Sequence, residues 1–190
     1  MKTDKQLWVS LIDLPAELGS HQELDFDWTV PEGWATEVLA LPEGTVIPLH
    51  VSLTALDAAV LARVQAEGRL EGECVRCVDA VGWDWKIDTS DVYVEQGAPG
   101  RAAPRDEDVE VEGDELDPQR VIDREAVDLE PLLRDAILGG APLQPLCREA
   151  CQGLCPHCGI RMEDAEEGHS HEFLDPRFAA LEGFFDRESE

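Results

Sequence analysis

The sequence predicts an α+β fold, an antiparallel β-meander with a few helices and a cysteine-rich knuckle near its C-terminal end. Three observations carry that expectation. Apolar and polar residues alternate over 46–56, 60–74 and 81–94, two shorter runs set apolar residues at helical spacing behind capping signals, and six cysteines fall into two groups. At 190 residues and 43% hydrophobic content the chain can bury an ample core, with room for one domain and a small appendage. The expected division is an α+β core over 1–146, carrying an acidic flexible loop at 96–118, and a Cys/His-rich segment over 147–190 whose C-terminal helix packs on that core.

Residues 7–12, Leu7-Trp8-Val9-Ser10-Leu11-Ile12, read as an opening strand, and 13–30 as irregular chain with scattered apolar residues. In 81–94, Trp83, Trp85, Ile87 and Thr89 share one face while Asp84, Lys86 and Asp88 share the other, so the tryptophans belong to the sheet face or core. Short connections between the three β stretches favour antiparallel neighbours, which puts Cys74 and Cys77 in the bend before the third. Beyond it, 97–104 is rich in Gly and Pro, and 106–117 holds eight acidic residues with nothing to pack, the composition of a solvated loop.

A short strand is expected over 119–123, then a helix over 129–138 with Asp128 as N-cap, its carboxylate accepting hydrogen bonds from free first-turn amides. Leu129, Leu132, Leu133, Ala136 and Ile137 form the apolar stripe, and Gly139-Gly140 with Pro142 end it. A second helix is signalled by Asp175-Pro176, cap and first-turn proline, with Phe178, Leu181 and Phe185 on one side.

The net charge of −27, from 42 acidic and 15 basic residues, repels phosphate backbones and favours basic partners. No run reaches transmembrane length, and Met1-Lys2-Thr3-Asp4-Lys5 leads into no apolar signal-like stretch. The expectation is a cytoplasmic protein without a membrane partner, whose thiols stay reduced.

Under those conditions the cysteines read as metal ligands. Cys74-Val-Arg-Cys77 is one pair, and Cys147, Cys151, Cys155 and Cys158 lie within 12 residues, with His169-Ser-His171 following. Clustering four soft ligands is explained by a tetrahedral zinc ion, which turns ligand contacts into folding free energy. In Cys155-Pro-His-Cys158-Gly159 both thiolates of a zinc-knuckle-like turn aim at one ion, and the glycine lets the backbone bend close to sulfur. A dithiol redox motif would instead want its C-x-x-C where a strand enters a helix. His21, His50 and His157 stand in no nucleophile–base order, and no phosphate-cradling loop accompanies them. No enzymatic activity is expected.

The order of features resembles the YceD family of bacterial large ribosomal RNA subunit accumulation proteins, in its Gram-positive or actinobacterial form. The residues that carry the likeness are the early C-x-x-C, the acidic interruption, the helix beginning Asp128-Leu-Glu-Pro-Leu-Leu-Arg, and Cys151-Gln-Gly-Leu-Cys155-Pro-His-Cys158-Gly159. Asp175-Pro176-Arg177-Phe178-Ala179 completes it, over about 39–185. Relatives usually carry C-x-C where this chain has His169-Ser-His171, an exchange of thiolates for imidazoles that keeps a zinc site intact. Their asparagine-containing segment is here Ile160-Arg-Met-Glu-Asp164, a departure from the family pattern.

Two ligand arrangements follow. In the favoured one Cys155, Cys158, His169 and His171 form one set and Cys74, Cys77, Cys147 and Cys151 a second; in its rival one ion takes Cys147, Cys151, Cys155 and Cys158. The first arrangement gives two structural Zn2+ ions and the second gives one. The resemblance implies a non-catalytic ribosome-biogenesis factor supporting large-subunit ribosomal RNA accumulation or processing. Its expected partners are that RNA, the pre-ribosome, or ribosomal protein bL32, whose gene commonly neighbours those of family members. Arg76, Arg148 and Arg161, close to the ligands, are candidates for a local partner-binding patch. The alternatives are a zinc-dependent interaction adaptor outside the ribosome and a thiol-based redox sensor.

Overall fold

The structure is a computed structural model that describes residues 5–95, 120–171 and 177. A single 3-10 turn, Lys5–Leu7, leads into β1 (Trp8–Ser10), followed by β2 (His21–Thr29), β3 (Leu39–Ala40), β4 (Val46–Leu56), β5 (Ala59–Glu73) and β6 (Ala80–Glu95). After the undescribed segment come β7 (Val121–Ile122), β8 (Ala126–Asp128) and the helix α1 (Glu130–Ile137). The main sheet runs β2-β4-β5-β6-β7 with β3 added to β5, and β1 pairs separately with β8.

The expected meander is present as β4, β5 and β6, antiparallel throughout and closely matching the alternating stretches of the sequence. Val60, Ala62, Val64, Ala66 and Leu70 of β5 point inward, and Arg63, Gln65, Glu67 and Arg69 outward, because a pleated strand sends successive side chains to opposite faces. β7 joins β6 in parallel, so the sheet is mixed at that edge.

The region 13–30 departs from expectation. It contains β2, a nine-residue strand paired with β4 from His21↔Thr54 to Thr29↔Val46. Its alternation is Gln22, Leu24, Phe26 and Trp28 against Glu23, Asp25 and Asp27, and the poor β-propensity of the acidic residues hid it. Pairing with β4 overrides propensity here. The opening strand is also shorter than 7–12, since Leu7 closes the 3-10 turn.

The core is shut by α1 and by β1 with β8, which cover the inner sheet face. Trp28, Trp34, Tyr93, Leu53, Leu70, Leu129, Leu133 and Ile137 are fully enclosed. The hydroxyl of Tyr93 donates to the carbonyl of Asp128 at 2.8 Å and ties β6 to the helix start. Leu129, rather than Asp128, occupies the helix N-cap position, yet the Asp128 carboxylate still accepts the amide hydrogen of Glu130 at 2.9 Å. The fold is therefore mostly β, with α1 the one α-helix among the described residues in place of the few expected. The second expected helix, from Asp175-Pro176, and the acidic loop at 96–118 lie outside the described residues.

Candidate metal centres

Cys74 and Cys77 sit in the tight bend between β5 and β6. The Cys74 amide donates to the Asp79 carbonyl at 2.7 Å, and the Val78 amide donates to the Cys74 carbonyl at 2.9 Å. The same two bonds recur at Cys155, whose amide donates to Ile160 at 2.8 Å and whose carbonyl accepts from Gly159 at 2.9 Å. Both C-x-x-C segments are thus the same knuckle. The residue after the second cysteine takes a left-handed conformation in each, φ 62° at Val78 and φ 73° at Gly159. Glycine adopts that angle without steric penalty, whereas a β-branched residue is strained by it. A valine in that position is why the first knuckle is not legible as one from sequence.

The chain beyond α1 then returns to the first knuckle. The Val75 amide donates to the Pro145 carbonyl at 3.1 Å, which delivers Cys147 and Cys151 to Cys74 and Cys77. Cys77 Sγ lies 3.5 Å from Cys147 Sγ and Cys74 Sγ 3.8 Å from Cys151 Sγ. Cys155, Cys158, His169 and His171 gather as a second group, with Cys158 Sγ 3.5 Å from His169 Nε2 and 3.2 Å from His171 Nε2, and the two Nε2 atoms 3.1 Å apart. Within each group of four, all ligand atoms lie within 4.8 Å of one another. The geometry partitions the donors as the favoured arrangement does and separates the rival set Cys147, Cys151, Cys155 and Cys158 between two clusters.

Both donor sets fit a tetrahedral ion. Zinc–sulfur and zinc–nitrogen bonds of ordinary length require about 3.8 Å between sulfurs, about 3.6 Å between sulfur and nitrogen and about 3.3 Å between nitrogens. The separations above fall within a few tenths of an ångström of those values. Either group can hold a metal ion with four protein ligands.

The sulfurs differ in setting. Cys74, Cys77 and Cys151 are buried beside Val81, Leu146 and Leu154. Burial opposes ionisation of Cys74, but amide hydrogen bonds in the backbone of Cys147, Arg76 and Cys77 outweigh it and bring the thiol to about 6. At Cys77 a backbone hydrogen bond at Asp79 favours the thiolate, while burial and the thiols of Cys74, Cys147 and Cys151 push it the other way, up to about 12. Four clustered thiols thus cannot all ionise together without a cation. Backbone hydrogen bonds at Cys158 and His157, with His169, hold Cys155 down to about 6. Metal uptake at either group consequently displaces protons.

The three arginines near the ligands each have an internal partner. Arg76 donates to the Cys151 carbonyl at 2.8 Å, Arg148 pairs with Glu163, and Arg161 grips Asp79 with both terminal nitrogens, one of them at 2.8 Å. Asp79, not singled out from the sequence, also stands 3.4 Å from Cys77 Sγ, and Arg161 first and Cys77 second hold its carboxyl down to about 2. Two of these arginines thus pair with carboxylates of the same region, and Arg76 with a carbonyl beside the first group. Nothing local in the sequence pointed to Asp79 or Glu163.

His21 and His50 stand apart on the outer sheet face, bonded to Thr54 and Glu23 and to Asp25. His157 is exposed, its ring 5.4 Å from that of His171.

A family profile described as "Large ribosomal RNA subunit accumulation protein YceD" matches residues 62–185, a span that contains all eight ligand candidates. The chain belongs to the YceD family. The family's description links it to accumulation of the large-subunit ribosomal RNA. Similar proteins include uncharacterized protein Mb2951c of Mycobacterium bovis and Rv2926c of Mycobacterium tuberculosis, each 32% identical over 173 residues, covering 91% of this chain and 78% of the relative. Uncharacterized protein ML1660 of Mycobacterium leprae is 27% identical over 145 residues, 76% of this chain and 62% of its own length. No solved structure matches the chain. Among the described residues of this YceD chain no helix is long and apolar enough to cross a membrane.

Proposed function

We propose that this YceD chain is a non-catalytic, zinc-stabilised ribosome-biogenesis factor of the cytoplasm that supports large-subunit ribosomal RNA accumulation by binding a basic component of the pre-ribosome. The match to the family profile carries the reading. Two further features support it. Each ligand group supplies four protein donors, the composition of a structural zinc site, whereas a catalytic zinc keeps a position for water. The net charge of −27, together with the internal partners of Arg76, Arg148 and Arg161, favours a basic ribosomal protein such as bL32 over the RNA backbone as the first contact.

The test is depletion of the chain followed by measurement of large-subunit RNA and its precursors. Lower mature RNA or accumulating precursors, with small-subunit RNA unchanged, is the expected result. Unchanged large-subunit RNA would overturn the reading and leave an adaptor outside the ribosome, or a thiol-based sensor, to be tested by affinity capture and by zinc release under mild peroxide.

A further inference from the structure

We propose that Asp79 and Arg161 form an outer-sphere bridge that couples the two metal centres, so that filling either raises the affinity of the other. The inference rests on the reading of both clusters as metal sites. Asp79 is the residue that closes the first knuckle, its carbonyl accepting from Cys74 and its carboxylate standing 3.4 Å from the sulfur of Cys77. Arg161 follows the residue that closes the second knuckle, and it bridges back to Leu154 across the strand-like pair Leu154↔Arg161. The fork of Arg161 on the Asp79 carboxylate therefore joins the closing residue of one knuckle to the residue just past the close of the other.

A second strut runs beside it. The Leu154 amide donates to the Arg76 carbonyl at 2.9 Å, and Arg76 donates to the Cys151 carbonyl at 2.8 Å. Gly153, at φ 81°, presses against the Arg76 carbonyl so closely that a Cβ there would lie 2.8 Å from it. The stretch from Cys151 to Cys155 thus has its first residue in one centre, its last in the other and its middle clamped to the first knuckle.

This docking has little apolar support. Leu154 is partly buried beside the first cluster, and beyond it Cys155 is the one hydrophobic-class residue buried among the described residues up to 171. A segment with so little core depends on its metal to hold the part beyond that strut, and the Arg161–Asp79 contact weakens when that shape is lost. Loss of the second ion would release Arg161 and leave an uncompensated carboxylate beside a thiolate ligand of the first. Linkage makes the effect reciprocal, so loss of the first ion weakens the second to the same degree.

Cobalt(II) titration of the full chain tests this, because a four-sulfur site and a two-sulfur, two-nitrogen site absorb at different wavelengths and can be followed separately. In the parent both bands should rise together, and Cys158→Ser should weaken cobalt at the four-sulfur site about 10-fold, within the usual range of coupling between sites. In an Arg161→Gln background, Cys158→Ser should have no further effect on that site, and Asp79→Asn, which keeps the shape and removes the charge, should uncouple the bands in the same way. Two bands that rise independently in the parent, or an undiminished effect of Cys158→Ser after Arg161→Gln, overturn the coupling and leave the metal sites standing. Absence of thiolate charge-transfer bands overturns the coupling together with the metal assignment.

Discussion

Replacing Cys147 by serine opens a long-range cross-link that closes β6, β7, β8 and α1 into one loop. Cys147 meets Cys77 across a separation of 70 residues, whereas Cys158 meets His169 across 11. Loop-closure entropy grows as three-halves RT times the logarithm of loop length, so the long clip restricts the unfolded chain by about 1.6 kcal/mol more than the short one. In this size class a kilocalorie moves the melting temperature by about 2–4 °C, which makes the difference about 3–6 °C. The assay is thermal unfolding of Cys147→Ser and Cys158→Ser in excess zinc, with native mass spectrometry verifying that each variant retains one ion. Cys147→Ser should melt lower by that margin. Equal melting temperatures, or a lower one for Cys158→Ser, would refute the assignment of the first cluster as the long-range clip.

Val78→Gly should be neutral or stabilising by up to about 1 kcal/mol, because relief of about 1–2 kcal/mol of left-handed strain outweighs the extra flexibility of glycine, and Val78 is 56% exposed. Gly159→Val runs the other way, and competition with a chromophoric chelator should show zinc held about 10-fold more weakly, since space is open around Gly159 and the cost is that of the backbone angle alone, about 1–2 kcal/mol. The Arg63 fork, with Gln65, holds Asp88 down to about 2. Its folded value is below its unfolded one, so its stabilisation is present above about pH 4 and fades as pH falls toward 2; the urea-midpoint gap between parent and Asp88→Asn should narrow over that window, and a constant gap would count against the ion pair. Tyr93→Phe should cost about 1 kcal/mol, read as a lower urea midpoint at unchanged slope, because the half-buried Asp128 carbonyl loses the Tyr93 donor.

Legibility followed the range of the physics involved. β4, β5 and β6 were readable because alternation is written residue by residue, and Tyr93, Trp85 and Ile87 of β6 are buried on schedule. β2 was not, because three acidic side chains on its outer face depress strand propensity while Phe26 and Trp28 on the other face do the packing. The capping interaction at α1 was readable in kind but displaced by one residue, since Asp128 belongs to β8 and reaches the helix from there. Among candidate site residues the eight possible ligands stood out by spacing and type. Arg76, Arg148 and Arg161 stood out as charges, but their partners Asp79, Glu163 and the Cys151 carbonyl come from other stretches of chain.

By itself the sequence determined the β-rich meander, the candidate metal-donor residues and the family, because alternation, ligand chemistry and a knuckle motif are local properties. Only the tertiary structure decided how eight donor candidates divide between two groups, that Cys74-Val-Arg-Cys77 makes the same turn as the recognisable knuckle, and that the nearby arginines find partners within the chain. Those outcomes depend on the return of the chain past Pro145 to the β5–β6 bend, a contact between segments some 70 residues apart that no local pattern encodes.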